Sequence, residues 1–272
     1  MRDVAVVVIT VDREPSYLAA TLANLARAGL WQSPRLHSLH LVDSGRVNPG
    51  YDVPWPDRAL LDHAYVVGDA PWDPAPTACR LHVHRTDAPR SAKQNCAAAL
   101  AIGARTGAAW VLQLEDDLDV CGDFLGSVAR WLDDHAADDR HVYPLSGDNA
   151  QIAAVAARGA HSWEYPVASF WGFQCFAMRP QMALDFSQWL QDHPLYRHAD
   201  GRLDENAHDL EIQRWAEARG ITHFRGACPS FVQHIGLTTS IAQATGGAKV
   251  QFQSWPGPDW SYQQQQTGEV TQ

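Results

Sequence analysis

Apolar residues run unbroken across positions 4–10, the pattern of a strand buried on both faces. Pro15 and Ser16 then mark a helix start, and Leu18, Leu22 and Leu25 follow at helical spacing. A second strand is predicted over 39–42, ending at Asp43. Pro- and Gly-rich sequence from 48 to 76 reads as loop, with a short strand at 64–67. From 80 to 86, Leu81 and Val83 alternate with His82 and His84, giving a third strand. An Ala-rich helix over 91–106 leads to a strand over 109–114, which runs straight into Glu115, Asp116 and Asp117.

This β-α-β-β-α-β order predicts an α/β fold: a Rossmann-like, mostly parallel sheet flanked by helices. Ligands of such sheets sit at the carboxyl ends of the strands. Asp12, Asp43 and the cluster at 115–117 all fall at expected strand ends. In the second half a helix is predicted over 124–135, strands over 141–145 and 169–178, helices over 181–191 and 207–219, and a short strand over 231–234. Beyond 246 the chain turns polar and is expected to form a flap or a disordered tail. Positions 1–245 read as one continuous domain, with a boundary between two halves near 120.

At 272 residues the chain is long enough for a single large core, and 46% hydrophobic residues exclude wholesale disorder. A formal charge of -10 disfavours a protein built to track nucleic acid or anionic membranes. The five cysteines are widely spaced and form no CxxC pair, which fits thiols in a reducing compartment. The first apolar run is too short for a secretory signal, and no stretch is long enough to span a bilayer. A soluble, cytoplasmic protein without a membrane anchor is expected. Of eleven tryptophans, Trp110, Trp131 and Trp189 have apolar periodic neighbours and are expected in the core. Trp163, Trp171, Trp255 and Trp260 lie near loops, where one or two could stack on a sugar ring.

The most informative segment is 111–117. An apolar strand delivers consecutive carboxylates to an exposed edge, where mutual repulsion and desolvation both oppose ionisation. A divalent cation removes both costs, and hard carboxylate oxygens suit Mg²⁺ or Mn²⁺. The competing reading is a solvated turn or a cap for the next helix. Thr10 and Asp43, at strand ends, and Arg13, close behind the first strand, are placed to hold a nucleotide.

Four segments carry a family resemblance: Ala92-Lys93-Gln94-Asn95, Gln113-Leu114-Glu115-Asp116-Asp117, Ser169-Phe170-Trp171-Gly172-Phe173, and the run from Pro229 through Phe231-Val232-Gln233-His234-Ile235-Gly236. In order and spacing the chain resembles GT-A-fold glycosyltransferases, and more narrowly the N-acetylglucosaminyltransferase IV family, across roughly 90–241. The resemblance implies a nucleotide-sugar-binding half over about 1–120 and an acceptor half over 121–245. It implies an inverting transfer from a UDP-sugar, with GlcNAc as the first sugar to test, to an acceptor hydroxyl. Asp117 and His234 become metal ligands, while Glu115 and Asp116 bind ribose or a metal-bound water. Lys93 and Asn95 contact the donor. Asp209 is the implied base, with Glu205 and Glu211 as fallbacks. Thr238 stands where the family shows histidine, so the resemblance points to the reaction more than to the acceptor. A transferase acting on a modified nucleobase or small metabolite, and a non-catalytic sugar-nucleotide-binding module, stay open as alternatives.

Overall fold

A computed structural model describes residues 3–11, 17–44, 65–67, 81–84, 86, 90–137, 142–147, 150–170, 173–235 and 254–263. Asp12, Arg13, Trp171, Thr238 and Cys79 lie outside them. The first half runs β1 (Val4–Thr10), α1 (Leu18–Arg27), β2 (Leu36–Asp43), β3 (Tyr65–Val67), β4 (Leu81–His84), α2 (Ala92–Ala104) and β5 (Trp110–Glu115). It continues through β6 (Leu118–Val120), α3 (Phe124–His135), β7 (Tyr143–Pro144), α4 (Ala150–Ala156), β8 (Ser162–Pro166) and β9 (Cys175–Met178). The remainder is α5 (Pro180–Asp192), a hairpin of β10 (Tyr196–Arg197) and β11 (Leu203–Asp204), α6 (His208–Ala218), β12 (His223–Ala227) and β13 (Val232–His234).

The central sheet has seven strands in the order β3-β4-β2-β1-β5-β9-β7. β3, β4, β2, β1 and β5 are parallel, and β9 joins β5 antiparallel. The expected α/β fold with a mostly parallel, helix-flanked sheet is therefore present. From β1 the chain moves outward to β2 on one side and later to β5 on the other. The strand order thus reverses between β1 and β5, the point at which ligands of open α/β sheets bind, beyond the carboxyl ends of the strands.

Strand alternation sorts the core into two layers. Val4, Val6 and Val8 meet α1 through Leu18, Leu22 and Leu25, and α3 through Phe124, Leu125 and Val128. Val7, Ile9 and Val111 meet α2 through Cys96, Ala97 and Leu100, with Phe186, Ile212 and Trp215 behind. Burial on both faces is why β1 shows no polar alternation. Gly103 of α2 sits directly on the sheet: a Cβ there would lie 2.6 Å from Val111 Cγ1 and 3.1 Å from Val7 Cγ1.

His82 and His84 alternate with apolar residues, yet both are buried, together with His40 of β2. The rings of His40 and His82 stack at 4.6 Å, and His40 Nδ1 lies 3.0 Å from His84 Nε2. Burial pushes His84 down to about 4, with His82 and Arg90 acting in the same direction. His40 is held well below the usual histidine range, chiefly by burial.

Several expectations change. Among the described residues of the strand expected over 169–178, Cys175–Met178 form strand, while Phe170 and Phe173 pack edge-on against each other in the core at 6.1 Å. β13 falls within the strand expected over 231–234, while β6, β8 and β12 carry too little apolar alternation to stand out in the sequence. Within the expected polar tail, Trp255, Trp260 and Tyr262 pack against the first core layer, and Tyr262 Oη lies 3.1 Å from Asp134 Oδ2. Trp110 and Trp131 are buried, while Trp189 is partly so. Cys96, Cys121, Cys175 and Cys228 are buried and unbridged. Among the described residues no helix is long and apolar enough to cross a membrane.

Candidate active site

β5 ends at Glu115, beside the carboxyl end of β1, where Ile9 and Glu115 are register partners. The chain bends at Asp116 and Asp117, between β5 and β6, and the acidic cluster is split there. Asp116 turns toward β1: its Oδ2 accepts the Thr10 hydroxyl at 2.6 Å and the Val11 N–H at 3.4 Å. Thr21 of α1 clamps the same turn, donating to the Asp116 carbonyl at 2.8 Å and accepting from Leu118 N–H at 2.9 Å. Glu115 and Asp117 are left together on the other side.

The third member of the group arrives by register. β13 pairs antiparallel with β6, placing His234 opposite Leu118. Ile235 N–H donates to the Asp117 carbonyl at 3.0 Å and extends that ladder to the acidic turn. One ligand atom from each of Glu115, Asp117 and His234 then falls within 4.8 Å of the others. His234 Nε2 lies 3.9 Å from Glu115 Oε2. Asp117 is fully buried and His234 is 8% exposed, so the group opens to solvent through the half-buried Glu115.

Two carboxylates and an imidazole this close, largely out of water, form a donor set for a divalent cation. Ligands about 2.0–2.2 Å from a shared ion lie at most about 4.4 Å apart, so closure requires only a small inward movement. Three protein ligands leave positions free for phosphate oxygens and water. One nitrogen beside two oxygens suits Mn²⁺ better than Mg²⁺, which takes oxygen ligands.

Asp209 lies in the first turn of α6, half-buried, with Oδ1 accepting Leu210 N–H at 3.0 Å. Its carboxyl is raised above the usual range, first by burial, with the Glu115 carboxylate adding in the same direction. His208 and the Leu210 hydrogen bond pull the other way. A raised carboxylate within the electrostatic reach of Glu115 is a candidate general base.

The other expected residues divide into groups. Thr10 and Asp43 are buried at the ends of β1 and β2. Asn95 stitches those ends together, its Nδ2 donating to the Thr10 carbonyl at 3.2 Å and the Val42 carbonyl at 2.9 Å. Its buried Oδ1 has no hydrogen-bond partner among the described residues. Lys93 and Glu211 pair with each other at 3.0 Å. Glu205 is exposed. Sequence reasoning missed Thr21 and the pairing of Thr10 with Asp116. No period along 115–117 marks Asp116 turning away and Glu115 joining Asp117, because the split falls at a bend.

No family model matches the sequence, and no curated protein matches it. Among solved structures, residues 1–349 of TarS from S. aureus align with 84% of this chain at 14% identity and a TM-score of 0.48. This chain spans 58% of that TarS fragment's length. A CMP:2-keto-3-deoxy-manno-octonic acid synthetase in complex with CTP aligns over 82% of this chain and 88% of its own, at 14% identity and a TM-score of 0.45. The galactosyltransferase LgtC, in complex with donor and acceptor sugar analogs, aligns over 78% of this chain and 70% of its own, at 10% identity and a TM-score of 0.41.

Proposed function

We propose that the protein is an inverting, metal-dependent glycosyltransferase of the GT-A type. It moves a sugar from a UDP-sugar, with GlcNAc as the first donor to test, to an acceptor hydroxyl. The observation that carries this reading is the convergence of Glu115, Asp117 and His234 at the point where the strand order reverses. The resemblance of 90–241 to the N-acetylglucosaminyltransferase IV family supports the same reading.

Residues 1–120 form the donor half and 121–245 the acceptor half. Thr10, Asp43 and Asn95 lie at the strand ends near which a nucleoside would dock. Glu115, Asp117 and His234 would hold Mn²⁺. When bound, the ion neutralises the charge that develops on the departing diphosphate. Asp116, bolted to Thr10, holds the turn that presents its two neighbours. Asp209 accepts the proton of the acceptor hydroxyl as that oxygen bonds to the anomeric carbon and the bond to the diphosphate breaks. Attack on the face opposite the departing UDP inverts the anomeric configuration, by the same displacement logic as inverting hydrolases. Burial raises the Asp209 carboxyl above the usual carboxylate range, the direction that strengthens it as a base.

The test is UDP release from UDP-GlcNAc in the presence of Mn²⁺, for wild type and Asp117→Ala. Wild-type turnover that needs Mn²⁺ and disappears in the variant is expected. Equal turnover in the two proteins, or turnover indifferent to chelation, would overturn the reading.

A further inference from the structure

We propose that the buried Lys93–Glu211 ion pair is a positioning device that fixes the first turn of α6 and so the placement of Asp209; this rests on the glycosyltransferase reading above. Lys93 is 1% and Glu211 0% exposed, and Lys93 Nζ donates to Glu211 Oε1 at 3.0 Å. The same oxygen accepts from Arg214 at 3.2 Å, and Oε2 accepts the Trp189 indole N–H at 2.9 Å. Lys93 belongs to α2, Trp189 to α5 and Glu211 to α6, so a single carboxylate fastens three helices. A second tie lies beside it, where Ala92 N–H donates to Asn206 Oδ1 at 3.0 Å, just ahead of α6.

Stability alone does not account for such a pair. Desolvating two charges offsets most of their attraction, and apolar side chains of the same volume would pack as well. A charged pair specifies which groups must meet, and so fixes register. Here the register has a consequence for chemistry. Helical residues two apart emerge about 200° apart around the axis. Glu211 therefore anchors one side of the first turn of α6 and leaves Asp209 on another, within the electrostatic reach of Glu115. On the other side of the same first turn of α2, Asn95 is bonded to the carbonyls of Thr10 and Val42. The first turn of α2 thus holds the nucleotide edge through Asn95 and the start of α6 through Lys93 and Glu211. Lys93 and Glu211 touch neither donor nor acceptor in this scheme; they act through Asp209.

The double variant Lys93→Met/Glu211→Gln removes both charges while keeping side-chain volume and an acceptor for Trp189. The probes are Mn²⁺ titration and UDP release from UDP-GlcNAc, with water as the acceptor. We expect kcat to fall about 10- to 100-fold, since small misplacements of a reacting group cost that much. KM for UDP-GlcNAc and Kd for Mn²⁺ stay near wild type. Lys93→Arg keeps the charge pair and is expected to retain most of the wild-type kcat. If the double variant fails to fold, Lys93→Met set against Lys93→Arg reads the same split. Wild-type kcat in the uncharged variants overturns the positioning role, as does a loss shared equally by kcat, KM and Kd. A wild type that neither binds Mn²⁺ nor turns over UDP-GlcNAc overturns the glycosyltransferase reading instead. A wild type that does both, beside an unaffected double variant, overturns the positioning role alone.

Discussion

Mild acid should loosen the sheet through its buried histidines. In the folded protein His84 titrates at about 4 instead of 6.5. The native state therefore binds fewer protons than the unfolded chain below pH 6.5, and stability falls as pH falls. Above 6.5 both states are neutral and the group contributes no slope. At pH 5, 1.5 units below the ordinary histidine value, the unfolded residue is charged while the folded one is still largely uncharged, a loss of about 2 kcal/mol at 1.36 kcal/mol per unit. Below pH 4 the loss levels off near ~3.4 kcal/mol. His40, displaced in the same direction, adds to it. Asp185, lowered mainly by its Arg219 partner, loses its contribution only as pH falls below the carboxylate range. The assay is urea unfolding of wild type and His84→Gln at pH 7.5, 6 and 5. Wild type should lose stability increasingly as pH falls through this series, and the variant, whatever its baseline, should lose about 2 kcal/mol less between pH 7.5 and pH 5. Parallel pH profiles for the two proteins would refute the reasoning.

Other outcomes follow from named contacts. Gly103→Ala forces a methyl against Val111 and Val7, and should cost about 1–3 kcal/mol by overpacking, read as a lower urea midpoint. Thr10→Val leaves Asp116 without its hydroxyl partner; we expect a loss of about 1–3 kcal/mol in urea unfolding. Asp209→Asn removes the base, so kcat for UDP-GlcNAc turnover should fall about 10²- to 10⁴-fold while Mn²⁺ still binds as in wild type in a calorimetric titration.

The parts of the molecule governed by local pattern were legible in the sequence. The run at 4–10, the leucines of α1 and the apolar stripe at 124–135 each announce an element whose burial they determine. The acidic turn after β5 was legible because carboxylates that follow an apolar strand must emerge at its end. Its division into Glu115 and Asp117 against Asp116 depends on the bend between β5 and β6 and on Thr10 and Thr21 receiving the middle residue. Long-range pairings were harder. Glu211 looked like a spare base because helix periodicity does not show that Lys93 and Trp189 converge on its carboxylate. Asn95 looked like a donor contact, and its amide nitrogen instead joins two strand ends. The aromatic stretch near 170 reads as strand on composition, but Phe170 and Phe173 fill the second core layer, Phe170 directly after a 3₁₀ turn at Val167–Ser169. The β6–β13 ladder, three residues on each side, is what carries His234 to the acidic turn.

The central claim is that Glu115, Asp117 and His234 share one divalent cation. Isothermal titration of Mn²⁺ into wild type, Asp117→Ala and His234→Ala measures it directly. We predict one equivalent bound to wild type, and affinity weakened at least about 10- to 100-fold in each variant, since even residues that merely support a ligand contribute that much. Tight one-to-one binding that survives both substitutions, or a wild type indifferent to Mn²⁺, would contradict it.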